Sequence, residues 1–509
     1  SELEDIKGIG KSIHEKIVEI IKTGKCKFHD ELLKELPPGL LELLEVSGIG
    51  PKKVQLLYDT LGIKSVEELE KAARDGKLRD LPHMGEKTEE KILKAIEELK
   101  SHKGRFRISI ALAYAESLID YLKKIPGIMK VEPAGSLRRW KDTVGDVDIL
   151  VACKKGAAVM ERFIKYPDVK DVLAKGETKS TVMLKSNLQV DVRVVEEIAF
   201  GSALQYFTGS KSHNIAIRDR AKRMGLKISE YGVFDEKADK WLAGRTEEDV
   251  YKAVGLPFIP PEIRENMGEI EAAEKGELPE LIEVKDILGD LHVHTKESDG
   301  IHTLEEMVAY AMQKRYKYIA VTDHSKALGI THGLDEPRVL KQIKEIDRIN
   351  SQLKGFRILT GTEVDIKGDG SLDLDADVLK KLDCVVGAVH SRFNMTMEDM
   401  TDRIITAMAT GLVNIIAHPT GRIIAAREPY PVNMPRLMHA AKKYNIILEL
   451  NSYPERLDLN DSYLRLAKDM GVMVAISTDS HNRQHMDFIR FGVHTARRGW
   501  LEKKDVLNT

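Results

Sequence analysis

Past residue 289 the chain alternates short, wholly apolar runs with stretches of helical periodicity. The runs inside IAVTDHS, ILTGTEVDI, CVVGAVHS, NIIAHPTGR and VAISTDSH are apolar on both faces, so each reads as a buried strand. Segments such as 304–314 and 398–410 place apolar residues at helical spacing between them. Repeated strand–helix units predict a βα barrel over 289–509. Residues 101–265 are patterned differently. A helical stretch, ISIALAYAESLIDYLKKI, stops at Pro126-Gly127, and short strands follow around Val131, Val147, Thr181 and Val190, an α+β pattern. The first hundred residues are all-α: IKGIGKSIHEKIVEII, VSGIGPKKVQLLYDTL and LPHMGEKTEEKILKAI each give a lead-in, a glycine-rich hairpin and an amphipathic helix. Residues 257–285 are polar, acidic and punctuated by proline, and read as a linker with a short helix joining two independent bodies.

A chain of 509 residues has room for three or four such domains. Three cysteines (Cys26, Cys153, Cys384), far apart and without C-x-x-C spacing, argue against a disulfide framework or a structural zinc cluster. No apolar run is long enough to span a bilayer and the first residues are charged, so a cytoplasmic protein is expected. The chain opens at Ser1 without a methionine and reads as a trimmed piece. The net charge of −2 argues against a nucleic-acid partner only until it is divided along the chain. Residues 101–265 carry the positive excess, and both flanking segments are negative.

The basic segment holds the first chemical constellation, GSLRRWKDTVGDVDILV at 135–151. Asp146 and Asp148 lie in an apolar run that reads as a strand, so both project to one face. Two adjacent carboxylates repel unless a cation lies between them, and Mg²⁺ or Mn²⁺ is the usual partner where phosphates are handled. Gly135, Ser136, Arg138 and Arg139 offer amides and cations suited to phosphate oxygens. Asp191, in LQVDVRVV, would complete a two-metal phosphoryl-transfer site.

This pattern, G-S-x-R-R, then G-D-x-D-I, then a lone strand aspartate, resembles the palm of X-family DNA polymerases, the polymerase beta-like group. The likeness continues through YFTGSKSHN at 206–214 and Arg218. It extends over essentially the whole chain and points to the bacterial and archaeal type with a C-terminal PHP (polymerase and histidinol phosphatase) domain. The resemblance implies metal ligation by Asp146, Asp148 and Asp191, with Asp191 helping to activate a primer 3′-hydroxyl. It implies nucleotide binding by Gly135, Ser136, Arg139, Gly145, Tyr206, Phe207, Gly209, Asn214 and Arg218. Tyr206 and Phe207 would crowd the sugar 2′ position from a sharp turn out of the sheet. Lys211 and Val144 replace an acid and a serine of the eukaryotic members. The N-terminal units resemble helix-hairpin-helix motifs, in which backbone N–H groups at Gly8, Gly10, Gly48 and Gly50 would grip DNA phosphates without net positive charge. The third unit departs from them, with His83 in the first glycine position. Lys16 matches the Schiff-base lysine that removes 5′-deoxyribose phosphate. Ser12 stands where a supporting lysine is expected and the helix carrying other parts is missing, so a solvated helix lysine is the other reading.

In the barrel, 11 of the chain's 16 histidines follow apolar runs or lie between them. Nine metal-competent residues stand at strand ends: His292, His294, Asp299, His324, Glu363, His390, His418, Asp479 and His481. All are nitrogen or oxygen donors, which suits Mn²⁺, Zn²⁺ or Fe²⁺. They fill the PHP signature. By resemblance, His292, His294, Glu363 and Asp479 take one metal. Glu363, His390 and His418 take a second, and Asp299, His324 and His481 a third. A water between the first two, acidified by both, would attack a phosphoester.

The domains expected are a partial lyase-like unit (1–45), a fingers-like helix-hairpin-helix unit (46–104), palm (105–200), thumb (201–265), linker (266–288) and PHP barrel (289–509). Together they imply a monomeric DNA repair enzyme. It would fill gapped or nicked DNA with deoxynucleoside triphosphates in base excision repair, using two Mg²⁺ or Mn²⁺ at the palm. The barrel, with up to three ions, would remove 3′ nucleotides or blocked 3′ ends and cut at abasic sites. The alternatives are a histidinol phosphatase-like small-molecule phosphatase and a non-catalytic DNA-end scaffold. The basic middle segment counts against the first, and two complete ligand sets against the second.

Overall fold

In the computed structural model of the chain, the apolar runs beyond residue 289 pair into a seven-stranded parallel sheet in chain order. The structure describes residues 49–509 except 80, 83 and 103, and without the side chains of 97–102. Before them it describes 14–16, 18, 19, 40, 43, 44 and 46. The seven strands run from Gly289–Val293 to Val474–Ser477. Val293 bridges to Ser480, and the His294 N–H donates to the Ser480 carbonyl at 2.9 Å, which brings the first strand against the end of the last. Helices such as Leu304–Gln313, Met397–Ala409 and Met434–Tyr444 return the chain between strands, and their apolar stripes join the barrel's main core. Thr303 and Glu306 close a capping box that fixes where the first of them begins.

Residues 104–509, apart from 425–427, cluster as one compact unit. At its start, strands Ile128–Pro133, Asp146–Cys153, Gln189–Val195, Lys179–Leu184 and Val169–Lys175 form a five-stranded sheet in that order. Only Asp146–Cys153 and Gln189–Val195 run parallel. The helix Ile108–Lys123 covers the sheet with Ala111, Ala115, Leu118 and Leu122. Helices Phe200–Thr208 and Lys211–Arg223, a small antiparallel sheet and helix Glu247–Ala253 follow. Tyr206 and Phe207 therefore end a helix and do not lie on a turn out of the sheet. The break comes after them, at Gly209, whose φ of +69° suits glycine.

The segment 266–288 does not separate independent bodies. Glu269–Lys275 is helical, and Ile270, Ala273 and Leu281 enter the core around Tyr251 together with Trp500 of the barrel. The acidic text misleads because one of its charges is structural. Buried Glu269 accepts from the N–H groups of Asn266 and Met267 and lies 2.7 Å from His213 Nδ1. Leu457 and Phe491 of the barrel likewise belong to the core beneath the five-stranded sheet.

The remaining unit comprises residues 1–103 with 425–427. Its described helices include Pro51–Leu61, Val66–Arg74 and Glu86–His102, packed around Leu57, Leu69, Leu78, Met84 and Ile96. Gly50 caps the first of these, while Gly8, Gly10, Gly48 and His83 lie outside the described residues. Lys16 sits half-buried in a helical turn, 14–16.

A fully buried arginine tests the packing. Arg264 is 0% exposed and pairs through Nη1 with Glu247 Oε1 at 2.6 Å, while Arg138 grips the same carboxylate with both Nη atoms. Replacing Glu247 with alanine strands that guanidinium, a loss of about 3–5 kcal/mol. Calorimetry should show the Glu247→Ala melting temperature several degrees below wild type. An unchanged transition refutes the assignment.

Candidate active sites

The first site follows from strand register. In the parallel ladder Asp148 lies opposite Asp191, and Asp146 projects from the same face two residues earlier. Asp191 is buried. Its Oδ2 lies 2.8 Å from Lys179 Nζ, and its Oδ1 has no hydrogen-bond partner. Burial pushes the Asp148 carboxyl up to about 6, and the charges of Asp146 and Asp191 push the same way. Three carboxylates against Lys179 and Arg193 still leave negative charge that a divalent cation fits.

Gly135 stands against this cluster at φ +62°, and a Cβ there would come within 2.5 Å of Asp148 Oδ2. Glycine is required both for conformation and for space. Ser136 is half-buried beside it, and Gly145 immediately precedes the Asp146 strand. Arg139 Nε lies 3.1 Å from Glu265 Oε1, and its Nη1 donates to the Thr208 carbonyl. A Cβ on Gly209 would meet Arg139 Nη1 at 3.2 Å, so the two expected nucleotide-binding stretches converge. Asn214 is held in place: its Nδ2 donates to the Tyr206 carbonyl at 2.7 Å and its Oδ1 accepts from Gln205 at 2.8 Å. Tyr206 and Phe207 pack edge to face, but they line different cavities. Tyr206 and Arg218 line one of about 490 Å³. Phe207, Lys179 and Arg193 line another of about 930 Å³. Arg193, which sequence reading passed over, lies 4.3 Å above the Phe207 ring.

The second site lies at the C-terminal ends of the barrel strands, where the nine expected ligands converge. Glu363 is central. Its Oε2 lies 2.8 Å from His324 Nδ1, 3.4 Å from His292 Nε2 and 3.6 Å from His294 Nε2. Its Oε1 lies 3.2 Å from His390 Nε2 and 3.1 Å from His418 Nε2. Asp479 Oδ1 lies 3.2 Å from His294 Nε2, and Asp299 Oδ1 lies 3.3 Å from His481 Nε2. Three groups place their ligand atoms within 4.8 Å of one another: His294, Asp299, His324 and His481; His292, His294 and Glu363; His324, Glu363 and His390. His294, His324 and Glu363 thus each belong to two groups. Buried His292 Nε2, both ring nitrogens of His294 and Glu363 Oε2 make no hydrogen bond. These orphaned donor atoms fit metal ions.

The electrostatics agree. Burial alone would raise the Glu363 carboxyl, but His324, His390 and His292 hold it well below its ordinary range. Burial opposes charge on His390 and His481, yet the nearby carboxylates lift both to about 9. His294, buried among other histidines, is pushed down to about 3. Metal ions compete with protons for these ligands. His418 and Asp479 have positive φ, 28° and 54°, rare for residues with side chains and common at functional sites.

Sequence reading missed the residues behind the ligands. Glu449 Oε1 lies 2.7 Å from His292 Nδ1, and its Oε2 accepts from the His418 N–H at 2.7 Å. Asp365 Oδ1 lies 3.1 Å from His390 Nδ1. Such partners orient imidazole ligands and fix their tautomers. Their signal is an acid inside an apolar run, ILELN and TEVD.

Three family models match parts of the chain. Residues 203–265 match the DNA polymerase beta thumb, 40–98 the SAM-like helix-hairpin-helix tandem, and 290–453 the PHP domain. The DNA polymerase/3′-5′ exonuclease PolX of Bacillus subtilis is 42% identical over 513 residues, covering 100% of this chain and 90% of that protein. A probable phosphatase of Citrobacter koseri is 34% identical over 203 residues, 38% of this chain and 78% of its own. Among solved structures, the Leishmania infantum polymerase beta ternary complex covers 45% of this chain and 98% of that one, at 23% identity and a TM-score of 0.31, too loose a likeness to add to the assignment. With full-length likeness, thumb, helix-hairpin-helix and barrel all in agreement, the chain belongs to the X-family DNA polymerases that carry a C-terminal PHP domain.

Proposed function

We propose that this DNA repair polymerase and exonuclease fills short gaps at Asp146, Asp148 and Asp191 and processes 3′ ends at the barrel ligands. The observation that carries the reading is the carboxylate cluster built on paired parallel strands, with Gly135 in contact with Asp148. Divalent metals supply charge neutralisation at the phosphate and acidify the attacking hydroxyl or water. Mg²⁺ or Mn²⁺ suits the palm carboxylates, and Mn²⁺, Zn²⁺ or Fe²⁺ suits the imidazole-rich barrel. Asp191, with Oδ1 unpartnered, takes the proton of the primer 3′-hydroxyl. Ser136 and Arg139 hold the triphosphate, Asn214 and Arg218 meet the nascent base pair, and Gly50 contributes a helix N-terminus to DNA phosphates. In the barrel Glu363 would help hold two metals, and Glu449 and Asp365 orient His292 and His390. Blocked 3′ termini and abasic sites fall within the same phosphoester chemistry. The probable phosphatase covers only 38% of this chain, and the polymerase half has no role in that alternative.

Asp148→Asn should abolish primer extension on gapped DNA and leave Mn²⁺-dependent 3′ digestion near normal. The same variant reports by stability. Because the folded carboxyl is raised from 3.8 to about 6, it favours folding at low pH and loses that contribution as pH rises through about 6. Metal-free Asp148→Asn should therefore be more stable than wild type above pH 6, by roughly 2–3 kcal/mol at most, with no advantage below pH 4. Equal stability across that range rejects the crowded-carboxylate account.

For sugar selection, Tyr206→Ala and Phe207→Ala should each be compared for ribonucleotide against deoxynucleotide incorporation. Discrimination should fall in at least one variant, and an unchanged ratio in both removes the steric wall.

Glu363→Gln should lose more than one equivalent of bound metal by elemental analysis, and 3′ digestion should drop to background while gap filling persists. His481→Ala, a change in one group only, should lose less. Full metal content with normal digestion by Glu363→Gln shows that the bridge lies elsewhere.

A further inference from the structure

The stretch that follows the Gly135-Ser136 pair is held by the barrel. Trp140 lies flat on His494 of the barrel's last long helix, Ile489–Arg498, with ring centroids 3.7 Å apart and planes 3° from parallel. Its backbone sits at φ +55°, a conformation a tryptophan keeps only where its surroundings enforce it. His494 Nδ1 lies 3.0 Å from Glu262 Oε1, and Arg497 Nε donates to the same oxygen at 2.6 Å. Arg498, whose side chain is 4% exposed, donates through Nη1 to the Arg139 carbonyl at 2.7 Å. The same nitrogen reaches the Glu262 carbonyl and Glu265 Oε1, each at 3.2 Å, and Nη2 reaches Asp461 Oδ2 at 2.5 Å.

Glu265 is thus shared. Its Oε1 lies 3.1 Å from Arg139 Nε, 3.6 Å from Lys141 Nζ and 3.2 Å from Arg498 Nη1. For the Arg139 guanidinium to turn onto a triphosphate it must leave this carboxylate. A largely buried carboxylate that loses its cation is destabilised. Arg498 keeps Glu265 compensated during that exchange and, through the Arg139 carbonyl, fixes the backbone about which the side chain swings.

We propose that Arg498, a barrel residue, is a positioning residue of the polymerase site, supporting nucleotide binding through Arg139 and Glu265. The inference rests on the reading of Arg139 as a triphosphate ligand. It gives the barrel a role in synthesis separate from its own hydrolytic chemistry, since Arg498 is not among the nine ligands.

The test is steady-state gap filling by the full chain, with the incoming deoxynucleotide varied, beside 3′ digestion and thermal melting of the same preparations. Arg498→Ala should raise KM for the nucleotide about tenfold with kcat within about twofold, and leave digestion unchanged. Arg498→Lys, which keeps charge without the fork, should recover part of the loss. A KM within about twofold of wild type overturns the proposal. If Arg498→Ala melts early and loses digestion too, Asp461→Asn decides, since it loosens the hold on Arg498 Nη2 and leaves the Arg498 side chain in place. A KM raised about threefold with digestion intact supports the proposal, and an unchanged KM overturns it. Wild-type protein that fails to extend primers at all overturns the polymerase reading and this inference with it. Extension with no change of KM in either variant removes this inference alone.

Discussion

Negative charge is concentrated in this molecule where solvent cannot screen it, and both centres depend on how that charge is balanced. In the palm, Asp148 faces Asp191 across a parallel ladder, and burial, with the charges of Asp146 and Asp191, raises its pKa. In the barrel, Glu363 is buried among five histidines, of which His324, His390 and His292 hold it ionised. A fold does not assemble such clusters for stability, because desolvated like charges work against it. The rest of each domain holds the carboxylates in place: the apolar strand residues Val147, Ile149, Val190 and Val192 behind the palm aspartates, and a nearly closed ring of apolar strands beneath the expected barrel ligands.

The polymerase half and the barrel are built into each other. Phe491 and Leu457 complete the palm core, Trp500 completes the core around Tyr251, and Arg422 reaches Asp142 at 3.1 Å. Arg138, Arg264 and Glu247 form a buried relay behind the Gly135–Arg138 turn, and Arg498 and Glu265 form a second one on its far side. Charged groups in such settings contribute orientation more than affinity, since each is matched by a partner that holds one geometry.

Much of this was legible in the chain because strand chemistry repeats every two residues and barrel chemistry recurs at strand ends. Asp146 and Asp148 announce one face, and nine metal-competent residues announce one rim. What pattern could not supply was register and depth. That Asp148 lies opposite Asp191 depends on pairing strands some forty positions apart in the chain. Glu449 and Asp365 were hidden because a lone acid in an apolar run carries no mark of the imidazole it will support. The 206–210 stretch was misplaced because Gly209 signals a break without saying what precedes it, and the structure places a helix there. The segment 266–288 was misread for a related reason. Its charges dominate the text, while Ile270 and Ala273 are a single apolar pair at helical spacing, too few to read as a buried face.

The folded state of that segment has a bearing on how one DNA end is shared. A flexible tether would let the two halves swivel and hand a primer terminus from one to the other. Here the joint offers no such swivel, since helix Glu269–Lys275 is locked into a core that includes a barrel tryptophan. An end that has been extended must instead slip or dissociate before it can be trimmed. The balance between growth and trimming then becomes a kinetic race, set by nucleotide supply and by how long each centre retains the end.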